Sequence, residues 1–128
     1  MDERVQTLLK LGHDIQDDIK YVLNSAHDDQ ISNILWWLNA YQYQFTDIPY
    51  ASSIFYELHY NQTCLNSAQR NESCFSIYAE HDGKPLRFES CINKNLQRGS
   101  KSTICTYLDF KDHISSISTQ GDVYELCM

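Results

Sequence analysis

Five cysteines, Cys64, Cys74, Cys91, Cys105 and Cys127, all lie from the midpoint of this chain onward, among polar residues. Thiols held in a protein core usually sit in apolar runs, so these five are expected to be disulfide partners. Two N-glycosylation sequons flank the first of them, Asn61-Gln62-Thr63 and Asn71-Glu72-Ser73. Together they describe a chain made for an oxidising, lysosomal or secreted setting. The alternative is a cytosolic chain with reduced thiols and two chance sequons. The opening, MDERVQTLLKLGHDIQDDIK, is charged and amphipathic and has none of the basic, apolar and small-residue blocks of an export signal. The expectation is therefore that a natural domain begins before Met1.

Charge excludes one function class. Ten Lys and Arg stand against 17 Asp and Glu, a net charge of −7, with no basic run. A nucleic-acid binder needs clustered cations to neutralise phosphates. No run of 18 apolar residues exists, so no membrane span is expected.

The 128 residues fit one domain. Val5, Leu8, Leu9, Gly12 and Ile15 recur at helical spacing and predict a helix over about 2–16. Residues 19–23 are apolar and β-prone, a predicted buried strand. Residues 25–29, Ser-Ala-His-Asp-Asp, form a joint in which Asp28 or Asp29 can cap the following helix. Ile31, Ile34, Leu35 and Leu38 are its expected buried stripe, with Trp37 beside them in the core. A strand feeding a helix is half of a βαβ unit, and in open α/β sheets ligands sit beyond the carboxyl ends of strands.

Beyond the helix, residues 41–49 read as an aromatic loop. Residues 50–60 read as a strand, and 61–73 as a polar loop. Residues 74–80 return as a strand, Asp82-Gly83 signals a hairpin, and 86–88 are expected to pair back. Residues 91–103 read as irregular. Thr106 and Asp109 fit a helix start running to about Ile117. The end, GDVYELCM, reads as an extended tail.

Other groupings have plainer explanations. Glu57 and His59 share a strand face and His81 sits near a turn, but a solvated edge accounts for them better than a metal site does. No Cys-x-x-Cys pair is present, so no metal is expected. Trp36 and Trp37 suggest a sugar or membrane platform, or core. Tyr41, Tyr43 and Phe45 either line a cleft mouth or pack beneath the loop.

Taken in order, Ser25-Ala26-His27-Asp28, Pro49-Tyr50-Ala51-Ser52, Glu57-Leu58, Cys91, Cys105 and Cys127-Met128 resemble the C-terminal part of the histidine acid phosphatases, from about residue 19 onward. That family is the lysosomal and secreted branch of the histidine phosphatases. The resemblance implies an α/β sandwich, here as a strand–helix joint, an antiparallel hairpin region and a terminal helix. It implies hydrolysis of phosphate monoesters through a phosphohistidine, with no cofactor. His27 would then hold phosphoryl oxygens and Asp28 would protonate the leaving group. Both residue types suit those roles. An imidazolium donates to the charged oxygens in transfer, and a carboxylic acid supplies the alkoxide's proton.

The sequence also departs from the family. The Arg-His-Gly-x-Arg-x-Pro motif that bears the nucleophile is absent from these residues. Asp29 stands where a threonine is usual, and Ser53 where a cysteine is frequent. On the resemblance, Cys64 pairs with Cys74 and Cys91 with Cys105. Cys127 is left unpaired for a partner in an absent N-terminal half. The chain alone is then expected to be inactive, with a phosphate monoester as substrate only when that half is supplied. The alternative is a non-catalytic, disulfide-bonded and glycosylated binding module derived from the same fold.

Overall fold

The computed structural model describes residues 1–94 and 104–118. It is mixed α and β: a small antiparallel sheet with helices packed around it. Helix α1 spans Asp2–Leu11. Acidic Asp2 and Glu3 in its first turn and Lys10 in its last complement the helix dipole, and Val5 and Leu8 face inward. The helix ends five residues before the expected Gln16 because Gly12 adopts the left-handed conformation (φ 77°) and closes the last turn onto the Leu8 carbonyl. Arg4 reaches past that end and bridges Asp14 and Asp18, tying the following segment to α1.

Residues 19–23 are not a strand. They take no sheet neighbour among the described residues, and Ile19, Tyr21, Val22 and Leu23 are 69–78% exposed. Their composition is β-prone, but a strand needs a neighbour to take its backbone hydrogen bonds. The βαβ half-unit is therefore not formed among the described residues. Helix α2, Asp28–Leu38, follows directly. Its N-cap is His27, neither Asp28 nor Asp29, and the Gln30 side chain accepts from the His27 amide at 2.8 Å. Leu35 and Leu38 are buried with Ile31 packed beside them, while Ile34, Trp36 and Trp37 are exposed. The expectation that Trp37 belongs to the core fails because the inward face is narrow, set by positions 31, 35 and 38.

Strand β1, Ile54–Tyr60, pairs antiparallel with β2, Phe75–His81, in the register Ile54 to His81 through Tyr60 to Phe75. Residues 50–53 stay outside the strand. The polar loop between the strands holds a short helix α3, Gln62–Asn66, and a 3-10 turn, Glu72–Cys74, capped by the Asn61 and Asn71 side chains. The two-residue turn Asp82-Gly83, both at positive φ, leads into β3, Lys84–Pro85. This is the expected hairpin, but 86–88 do not continue it as a strand. The Leu86 amide bonds the Ala79 carbonyl, then the chain leaves and the Arg87 carbonyl accepts from the Tyr41 amide. Helix α4, Glu89–Lys94, takes up residues 91–94 of the stretch expected to be irregular, and 95–103 lie outside the described residues. Strand β4, Ile104–Thr106, joins the other side of β2. Helix α5, Tyr107–Ile117, runs as expected, with the Thr106 hydroxyl accepting from the Asp109 amide. The GDVYELCM tail and Cys127 lie outside the described residues.

Strand β2 organises the interior. Phe75, Ile77, Ala79 and His81 alternate inward. Phe75 and Ile77 meet Val5, Leu8, Leu65, Cys74 and Tyr107 in one core; Ala79 meets Leu35, Leu38, Leu86 and Phe88 in a second. Phe110 on α5 touches both. Disulfides Cys64–Cys74 and Cys91–Cys105 form one at each core, as the pairing expected from the resemblance requires. From α5, the buried His113 donates from Nε2 to the Leu38 carbonyl at 2.6 Å and so closes the C-terminal end of α2.

Candidate functional site

Helix α2 carries candidate chemistry at both ends. At its N-terminal end stand His27 and Asp28, both exposed. The Asp28 carboxylate accepts from the Asp29 amide at 2.8 Å, and that of Asp29 from the Gln30 amide at 2.9 Å. Both first-turn carboxylates thus fold onto the helix's own free amides. Among the described residues, the hydrogen bonds at this end involve no arginine and no second histidine.

The other end of α2, about 12 Å along the axis from Asp28 to Trp36, opens on a cleft of about 760 Å³. Its walls are the last turn of α2, the aromatic loop 43–49 and the β2–β3 turn. Tyr43 and Phe45 line it and also pack against the second core, while Tyr41 is not among its lining residues; Trp36 leans on Phe45 with ring centres 5.4 Å apart.

His81, 4% exposed, sits at the floor of this cleft. The Ser52 hydroxyl donates to Asp82 Oδ2 at 2.8 Å. It must therefore accept from His81 Nε2, 2.9 Å away. That assignment leaves Nδ1 as an acceptor, and the Tyr43 hydroxyl is hydrogen-bonded to it. With Nε2–H on the Ser52 oxygen and Nδ1 against the Tyr43 hydroxyl, both ring nitrogens have a partner. Burial, then the charge of Asp82, pushes the Tyr43 phenol above its ordinary range and keeps it a donor. Burial works against the Asp82 charge, but the Ser53 amide, the Ser52 hydroxyl, His81 and Lys84 outweigh it, so its carboxyl titrates below the usual value.

This is a serine beside a histidine, but not a nucleophile. A serine nucleophile gives its proton to the imidazole lone pair. Here that proton points at Asp82, and the lone pair is taken by Tyr43. The group instead builds a rigid floor. The residues expected at the hairpin turn, His81 and Asp82, are thus brought together with Ser52, while Glu57 and His59 pair with each other at 2.9 Å on β1. Sequence reading missed the role of His81. The alternation of FSIYAEH, which puts position 81 on the same face as 75, 77 and 79, would have found it.

The sequon asparagines are exposed. Asn61 Oδ1 accepts from the Cys64 amide at 3.1 Å and Asn71 Oδ1 from the Ser73 amide at 2.9 Å. Among the described residues no three His, Cys, Asp or Glu side chains gather as metal ligands. No helix among them is long and apolar enough to cross a membrane. No family model, curated protein or solved structure matches the chain.

Proposed function

We propose that this chain carries the second-histidine and proton-donor part of a histidine acid phosphatase site. His27 would hold the phosphoryl oxygens and Asp28 would protonate the leaving group. The observation that carries the reading is a β-prone segment left outside the sheet. Residues 19–23 are β-prone, largely exposed and without a sheet neighbour among the described residues, and they lead into the joint at His27. Strand β1 is meanwhile an edge of its sheet. A β-prone segment and a sheet edge left in that state suit an α/β sandwich whose remaining strands and Arg-His-Gly motif come from elsewhere. The two disulfides and the exposed sequon asparagines support a secreted or lysosomal glycoprotein.

The test is the transcript read across Met1, together with an aryl phosphate assay at acid pH. An in-frame upstream stretch encoding an export signal, the nucleophile motif and a cysteine for Cys127 is expected. A message that starts at Met1 overturns the enzyme reading. Turnover by these 128 residues alone, lost in Asp28→Ala, overturns the incomplete-site reading.

A second reading is a non-catalytic binding module. The cleft at the far end of α2 favours it, because among the described residues Trp36, Tyr43, Phe45 and His81 line it and no part of the His27–Asp28 joint does.

A further inference from the structure

We propose that the cleft at the C-terminal end of α2 is a binding site for a neutral sugar, stacked by its C–H face on Trp36. This holds whether or not the phosphatase reading does. The volume, about 760 Å³, lies within the roughly 300–1,000 Å³ typical of small-molecule sites and would take a unit of one or two sugar rings. Trp36 is 72% exposed, on the side of α2 away from its narrow buried stripe. Its indole instead lines the cleft, held by Phe45. An exposed aromatic plane against a hydrogen-bonding wall suits an amphipathic ring with one apolar and one polar side.

The polar lining selects the ligand's charge. Asp47 and Asp82 disfavour an anion, and Lys84, beside Asp82 in the β2–β3 turn, offsets one of those two charges. Asn39 and Gln44 add amide donors and acceptors, so the wall suits hydroxyls, which need both. The floor does not adapt: both His81 nitrogens are engaged, by Tyr43 and Ser52. Recognition therefore falls to the rim, and preorganisation of the floor limits what binding must order.

The chain has only two tryptophans, Trp36 and Trp37, and Trp37 lies outside the cleft. A Trp37→Phe protein makes Trp36 the sole indole reporter. It is titrated with methyl α-mannoside, methyl β-glucoside, cellobiose and diacetylchitobiose, with choline and inorganic phosphate as charged probes. A saturable fluorescence change with at least one sugar is expected, and none with the charged probes. For that sugar, Trp36→Ala followed by calorimetry should weaken binding about tenfold or more. Trp36→Phe, which keeps a ring, should lose less. Absence of saturation with every sugar, preferential binding of choline or phosphate, or unchanged sugar affinity in folded Trp36→Ala overturns the proposal.

Discussion

Replacing Cys64 and Cys74 together by alanine opens the loop that anchors α1. The bridge joins residues ten apart in sequence, and loop-closure entropy for that length is about 2.7 kcal/mol at 25 °C. Cys74 is also buried in the first core, beside Val5, Leu8 and Leu65, so loss of its sulfur adds about 1 kcal/mol. The expected loss of about 3–4 kcal/mol is a large part of the roughly 6–19 kcal/mol that a domain of 128 residues has.

The same loop also grips the end of α1. From within it, Arg70 donates through Nε to the Leu9 carbonyl at 2.6 Å and through Nη2 to the Lys10 carbonyl at 3.2 Å. Opening the bridge should slacken that grip. Urea unfolding followed by circular dichroism would measure the double variant, and Arg70→Ala in both backgrounds would measure the coupling. Arg70→Ala should cost less once the bridge is gone. A loss below about 1 kcal/mol in the double variant, or an equal Arg70→Ala effect in both backgrounds, would refute the reasoning. The side-chain caps of Asn61 and Asn71 would then suffice to order the loop.

Three further outcomes are expected. His113→Phe leaves the Leu38 carbonyl buried without its donor and should cost about 1–3 kcal/mol in thermal or urea unfolding; a neutral result would mean that this carbonyl finds another donor. Gly12→Ala forces a side chain onto a backbone at φ 77° with its Cβ 2.9 Å from Arg70 Nη1, so a loss of about 1 kcal/mol or more is expected from the same assay. Asp82 titrates below its ordinary 3.8 when folded. Its contribution to stability is present above the unfolded value and lost as pH falls through the folded one. Asp82→Asn should therefore be less stable than the parent at about pH 6, with the gap closing below about pH 4 in acid titrations of stability; a gap constant with pH would show that its charge contributes nothing.

Local signals in the sequence located much of the fold. Helix α5 begins where Thr106 can accept from Asp109, β1 and β2 follow their composition, and Asp82-Gly83 turns as such pairs do. What failed depended on partners. Residues 19–23 have the composition of a strand, yet composition cannot say whether a neighbour exists. Trp37 sits at helical spacing near apolar residues, but the width of the buried stripe is set by what packs against it. Gly12 falls within the apolar repeat of a helix that it ends, because its neighbours' periodicity hides its conformational freedom. Of the candidate sites, His27 and Asp28 were legible as a joint, while the cleft was not. It needs Trp36, Phe45 and His81 from three separate elements, which only the closed chain brings together.

Because β2 gives Phe75 and Ile77 to one core and Ala79 to the other, neither core can open without disturbing the same strand. Among the described residues no seam divides the two cores along which they could come apart in stages. Melting should therefore be all-or-none, and the central amides of β2 should be the last to exchange with solvent, at a rate set by global unfolding and not by local fraying. A substitution under α1 would then be felt at α2, although the two helices share no core residues.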